Sequence, residues 1–213
     1  MEIGEVKTFL GLEEDKEGPF DIVILPIPYE MTTSYREGTE FGPEACINAS
    51  TQVEINDELL ESELPCGFKI HTSKPWDNDV SSLKEALVSI TNFSTPWMNG
   101  EQFPIILGGE HGLLLPLIEA VKEHPSINRE LQKLTIVQID AHADLRDELN
   151  GEKFSHGTVI RRALDAGVGN VIQIGVRTYS SEEEEIIQND ERVRTWFARD
   201  LIKVNPNLSD WDL

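Results

Sequence analysis

Basic residues are scarce in this chain of 213: Lys and Arg number 18 against 39 Asp and Glu, a formal net charge of −21. That balance argues against nucleic acid or an anionic membrane surface as a partner, because both would be repelled. Cations and cationic small molecules are favoured instead, and the plain consequence of the acidity is solubility or tolerance of salt. Cysteine is nearly absent too. Cys46 and Cys66 form neither a CxxC pair nor a dense framework, which fits a reduced intracellular protein. No stretch approaches the roughly 18 consecutive apolar residues that a membrane helix needs. Met1-Glu2-Ile3-Gly4-Glu5 does not open a basic-then-apolar leader. The reading is a soluble, cytoplasmic protein. HExxH, P-loop, GxGxxG and GxSxG patterns are also missing, and Ser155 beside His156 lacks the glycines of a nucleophile elbow. A nucleophilic hydrolase is set aside on that ground. There is no internal repeat and no low-complexity linker, and the length suits one domain spanning 1–213.

What is present alternates between short apolar runs and segments of helical period. Asp21-Ile22-Val23-Ile24-Leu25-Pro26 reads as a buried strand, followed by a polar loop over 29–42 and a helix opened by Pro43. Gly67 to His71 is a weaker strand. Ser81 to Phe93 has helical spacing, with Ser81 or Ser82 as cap. Phe103 to Leu107 runs into Gly108-Gly109 and a helix carrying Leu113, Leu114, Leu117, Ile118 and Val121. Strands follow at Leu134 to Asp140, Val171 to Val176 and Val193 to Phe197, with helices at Thr158 to Ala166 and Glu182 to Gln188. Glu182-Glu183-Glu184-Glu185 reads as a solvated helix start favoured by the helix dipole. Apolar strands alternating with helices predict a mainly parallel sheet covered on both faces, with sites at the carboxyl ends of its strands.

Asp140, His142 and Asp144 occupy alternate positions directly after the apolar run Thr135 to Ile139. Alternation brings side chains to one side only when the backbone is extended, so the pattern predicts a strand end whose three polar groups converge. A buried cluster of carboxylates needs cations, which makes a metal site the natural reading. If the sheet is parallel, the ends of the 103–107 and 134–140 strands share a rim and His111 becomes a fourth candidate ligand. Imidazole and carboxylate donors without cysteine suit Mn²⁺, Fe²⁺, Co²⁺, Ni²⁺ or Zn²⁺ rather than Ca²⁺ or a structural zinc, and Mn²⁺ is placed first. His156, across a polar loop from Asp144, is placed near the same rim as a proton carrier. His71 and His124 are given structural roles.

Three signatures, Gly108-Gly109-Glu110-His111, Asp140-Ala141-His142-Ala143-Asp144 and Ser155-His156-Gly157-Thr158, together resemble those of the ureohydrolases, the arginase and agmatinase family. Pro28-Tyr29-Glu30, Ser34-Tyr35-Arg36, the run Gly38 to Ala45, Asp144-Leu145-Arg146-Asp147 and Ile174-Gly175-Val176-Arg177 are similar to the agmatinase branch. The resemblance implies a three-layer α/β/α sandwich on a parallel sheet. It also implies a binuclear manganese centre that hydrolyses a guanidino compound, agmatine to putrescine in this branch, with release of urea. On this chain it implies that His111 and Asp144 bind one ion and His142 the other, that Asp140 bridges both, and that Asp144 and His156 act in catalysis. A small cationic guanidino compound is then the substrate partner, and a homo-oligomer is compatible with the family.

Glu110 stands where the family often has Asp. A larger departure is the later Ser-x-Asp-x-Asp motif, which is not found. Ser209-Asp210-Trp211-Asp212 has the Asp-x-Asp spacing, but its serine is one place too close and no apolar strand leads into it. The expectation is therefore a C-terminally truncated ureohydrolase sequence, missing its last strands and helices and leaving an edge or apolar face uncovered. One ion or weak metal binding, and low or no activity, follow for these residues alone. The competing readings are a non-catalytic metal-binding or interaction protein of the same fold, and a ureohydrolase for another guanidino or formimino substrate.

Overall fold

The computed structural model describes residues 7–14 and 17–204, and the Ser209 to Asp212 segment lies outside them. The contacts gather into two compact units, 1–124 and 125–213. No helix among the described residues is long and apolar enough to cross a membrane.

The first unit carries strands β1 (Ile22–Ile27), β4 (Ile70–Thr72) and β5 (Phe103–Gly108), joined in the order β4-β1-β5 with both pairings parallel. β1 is central, and Val23, Leu25 and Ile27 are wholly buried, as a continuous apolar run flanked by partners should be. Helices α1 (Gly42–Ser50), α2 (Leu83–Met98) and α3 (Leu114–Val121) connect and cover these strands. Pro43 stands in the first turn of α1, where its missing N–H costs nothing. Ser82 caps α2 by accepting the Glu85 N–H. α2 runs past Phe93 through Pro96 to Met98, because side chains take over its end: Asn99 Nδ2 donates to the Thr95 carbonyl and Gln102 Nε2 to that of Trp97. A short antiparallel pair, β2 (Asn56–Asp57) and β3 (Ser62–Glu63), was not legible in the sequence pattern. The core gathers Ile27, Tyr29, Trp76, Ala86, Ile90 and Leu113. His71 stacks on Phe20 with ring centroids 4.4 Å apart, the structural role assigned to it.

The second unit holds β6 (Thr135–Ile139), β7 (Asn170–Val176) and β8 (Val193–Phe197), again all parallel and in sequence order. Helices α4 (Val159–Asp165), α5 (Ser181–Asn189) and α6 (Ala198–Val204) complete it. Val159, Ile160, Ala163, Val168, Val171 and Val176 are fully buried. The prediction of strands covered on both faces fails at β5 and β6. Among the described residues each pairs on one edge only, and Phe103, Ile105, Val137 and Ile139 remain exposed, Ile139 by 81%. Cys46 and Cys66 are free thiols.

Candidate metal centre

In the first unit, the carboxyl ends of β1 and β5 are tied together by Glu110, whose N–H donates to the Tyr29 carbonyl at 3.0 Å. Gly109 makes the approach possible: a Cβ there would run into the Tyr29 carbonyl oxygen. The buried Glu110 carboxylate then accepts from Met31 N (3.1 Å), Thr32 N (2.8 Å) and Thr32 Oγ1 (2.6 Å). Glu30 does the same one turn of loop further on, accepting from Gly38 N (2.8 Å), Glu40 N (3.1 Å) and Thr33 Oγ1 (3.2 Å). Desolvation pushes the Glu30 carboxyl upward, but the backbone donors of Glu40 and Gly38 and the Thr33 and Thr39 hydroxyls outweigh it and hold the group below the usual range. Two carboxylates thus give the 29–42 loop a fixed shape. His111 follows Glu110 and opens a 3-10 turn that leads into α3.

In the second unit, β6 ends at Ile139, and the segment after it stays beside β7 through three further backbone bonds. Asp140 N donates to the Ile174 carbonyl, and Arg177 N and Thr178 N to that of Ala141. Gly175, at φ +90, is the extra residue where the pairing of β7 with β8 shifts register. The expected extended alternation through Asp144 does not hold. Asp144 has φ +53, so the chain turns left-handed there. It is that turn, together with the strand end, that leaves carboxylate oxygens of Asp140 and Asp144 within 4.8 Å of each other. His142 is placed differently from the prediction: its Nδ1 faces Asp140 Oδ1 at 3.3 Å and its side chain is largely exposed. Its own N–H donates to the same oxygen at 2.8 Å.

Asp144 is held on all sides. Its carbonyl accepts from Ile160 N (3.0 Å) and Arg161 N (3.2 Å) in the first turn of α4, and its Oδ2 accepts from Gln138 Nε2 at 2.9 Å. The same helix start is preceded by His156, which opens a 3-10 turn fixed by Thr158: Ser155 N donates to Thr158 Oγ1 at 3.0 Å, and that hydroxyl donates to the Lys153 carbonyl at 2.7 Å. His156 and Asp144 are therefore anchored to one helix end. Past the turn, Leu145 N donates to Glu183 Oε1 (3.1 Å) and Asp147 N to Glu182 Oε1 (3.2 Å). Glu183 is buried, only 3% exposed, which corrects the reading of the four glutamates as a solvated run. Its other oxygen closes a capping box with Ser180. The hydrogen bond from Arg162 holds the Asp147 carboxyl below its usual range, with the Lys153 charge adding to the effect.

The donor set of this rim suits a divalent cation. Two carboxylates pressed together repel unless a cation sits between them, and a first-row ion at about 2.1 Å from each oxygen can touch both after small side-chain adjustments. Sequence reasoning missed Gln138, Gln173, Glu30, Glu110 and Glu183. A signal existed for the first two, since each is the lone polar residue within an apolar strand run.

The model of the arginase family matches residues 20–208. The chain belongs to the arginase family. Among curated relatives it is 36% identical over 191 residues to an N(1)-aminopropylagmatine ureohydrolase of Synechocystis sp., covering 87% of this chain and 60% of that protein. It is 32% identical over 182 residues to an agmatinase of Bacillus cereus, covering 84% of this chain and 58% of the relative. The chain therefore spans about 60% of the length of these relatives. Proclavaminate amidino hydrolase from Streptomyces clavuligerus shares the fold, with a TM-score of 0.79 at 22% identity, covering 94% of this chain and 66% of that one. These matches support an arginase-like α/β fold in an agmatinase-like sequence.

Proposed function

We propose that this arginase-family chain provides the Asp140–Asp144 half of an agmatinase-like ureohydrolase centre, which hydrolyses a guanidino compound, agmatine first among them, to the amine and urea. The observation that carries this reading is the pair of convergent carboxylates at the end of β6, within 4.8 Å of each other, inside a family-matched segment. His111, Asp140, His142 and Asp144 are the residues assigned to hold Mn²⁺. His111 enters on the family resemblance. His142 needs to rotate away from Asp140 to serve. Bound Mn²⁺ would supply Lewis-acid activation of water for attack on the guanidinium carbon.

The remaining chemistry falls to the chain's own groups. Asp144, pinned through its carbonyl and its Oδ2, keeps a fixed orientation toward the reacting water. The His156 imidazole carries a proton from that water toward the departing amine. The charge of −21 draws in a guanidinium cation and repels anions. Aminopropylagmatine is the alternative substrate, on the strength of the Synechocystis relative.

A second reading, a metal-binding protein without turnover, is favoured by the bare edges of β5 and β6 with Phe103, Ile105, Val137 and Ile139 exposed. Urea release with Mn²⁺ from agmatine, aminopropylagmatine and arginine, together with formamide release from formiminoglutamate, separates these readings. Turnover of agmatine or aminopropylagmatine that Asp144→Asn abolishes supports the ureohydrolase. Mn²⁺ binding without urea or formamide from any of these substrates supports the second reading.

A further inference from the structure

Gln138, Gln173 and Thr195 stand at one level of three neighbouring parallel strands, Gln138 in register with Gln173 and Gln173 with Thr195. Gln138 is 5% exposed and Gln173 not at all. Their hydrogen bonds form one directed chain. Thr195 Oγ1 donates to Gln173 Oε1 (2.8 Å), Gln173 Nε2 to Gln138 Oε1 (2.7 Å), and Gln138 Nε2 to Asp144 Oδ2 (2.9 Å). Neither carboxamide can be turned over. Gln173 Nε2 also faces the Ala143 carbonyl at 2.7 Å and Gln138 Nε2 the His142 carbonyl at 3.4 Å, and a carbonyl accepts only. The strand order therefore fixes the direction of the chain, and its last donor is aimed at Asp144.

Part of this arrangement serves the backbone: the two carboxamides donate to the Ala143 and His142 carbonyls, which an apolar pair would leave without these donors. The bond from Gln138 Nε2 to Asp144 Oδ2 goes beyond that need. What an apolar pair could not do is hold a carboxylate. We propose that Thr195, Gln173 and Gln138 form a positioning relay that sets the plane of the Asp144 carboxylate for cation binding, with Gln138 as the residue in contact and the other two acting through it. The proposal rests on the reading of Asp144 as a Mn²⁺ ligand. Groups that orient metal ligands from behind typically change metal affinity by 10–100-fold when removed.

The test measures Mn²⁺ affinity by electron paramagnetic resonance of the full chain, alongside the unfolding temperature of the metal-free protein. The set comprises the unmodified chain, Asp144→Asn, Gln138→Leu, Gln173→Leu and Thr195→Val. The expected result is a loss of Mn²⁺ affinity of about tenfold or more for Gln138→Leu, with progressively smaller losses for Gln173→Leu and Thr195→Val. Gln138→Leu binding Mn²⁺ as tightly as the unmodified chain, whatever happens to its unfolding temperature, overturns the relay. If Gln138→Leu does not fold, Thr195→Val decides, since it trims one hydroxyl at the far end: weaker binding at an unchanged unfolding temperature supports the relay, and unchanged binding overturns it. Asp144→Asn separates the two levels of inference. Binding that survives this change removes the metal reading and the relay with it. Binding that is lost here but kept in the glutamine variants removes the relay alone.

Discussion

The backbone N–H of Leu145 donates to the buried carboxylate of Glu183 across 3.1 Å, so the residue that follows Asp144 is fixed by the first turn of α5. Glu183 simultaneously completes the capping box with Ser180 and lies 3.7 Å from Arg146 Nε. The start of α5 and the loop after Asp144 are one structure. Replacing Glu183 by Ala removes the box and leaves a buried N–H without its acceptor, so about 2–4 kcal/mol of stability should be lost. Urea unfolding of the metal-free chain measures it. A loss below about 0.5 kcal/mol would show that α5 does not brace this loop.

Gly109 is required by the backbone rather than by its flexibility. A Cβ at this position would meet the carbonyl oxygen of Tyr29, and also that of Thr39 at 3.1 Å, and a backbone cannot swing aside as a side chain can. Gly109→Ala should cost about 2 kcal/mol or more and displace the 29–42 loop. Thermal unfolding gives the cost, and a native-like unfolding temperature would refute the close approach.

Glu110 shields two amides, Met31 N and Thr32 N. Glu110→Ala should therefore speed hydrogen exchange at those residues by about tenfold or more while leaving exchange across β7 unchanged. Peptide-level exchange mass spectrometry reads both. Equal protection at 31–32 in the two proteins would mean that the loop is held by something else.

Acid should loosen the fold, and the sign follows from the carboxylates whose native titration is depressed. Asp147 is lowered by its bond from Arg162, and Asp190 by its bond from Arg192. Glu85 is lowered by its bonds from Ser81, and Glu30 by the loop amides that overcome its desolvation. Each contributes stability above the unfolded-state value and loses it as pH falls through the lower native one, because the unfolded chain then binds more protons. Stability should hold steady from about pH 7 to 5 and fall below about pH 4. Unfolding temperature against pH measures it, and an unfolding temperature that rises below pH 4 contradicts the assignment.

Much of this was readable from residue order. Val193 to Phe197 forms the strand anticipated for it, Ser82 caps α2, and the Gly108-Gly109 pair ends β5. These features depend on near neighbours in sequence. What could not be read depends on distant ones. The burial of Glu183 is set by Leu145 and Arg146, far back along the chain. The carboxamides of Gln138 and Gln173 find each other only through strand register. An apolar run such as Thr135 to Ile139 also looks alike whether one face is covered or both, so the 58% exposure of Val137 is invisible in the letters. The side-chain direction of His142 escaped for a related reason: alternation predicts a face, but the nearest acceptor, Asp140, decides where the imidazole turns.

On the proposal that Asp144 binds a cation, the left-handed backbone there, φ +53, means that this position answers to two selections at once. Folding alone admits Asp, Asn and Gly there, the residues that take such a conformation at little cost, and penalises most others by about 1–3 kcal/mol. Cation binding admits only the carboxylate. A deep substitution survey scored separately for abundance and for metal retention would therefore show the two sets diverging at Asn and Gly. Those two variants, and not Ala, are the ones that subtract charge from position 144 while leaving its conformation intact.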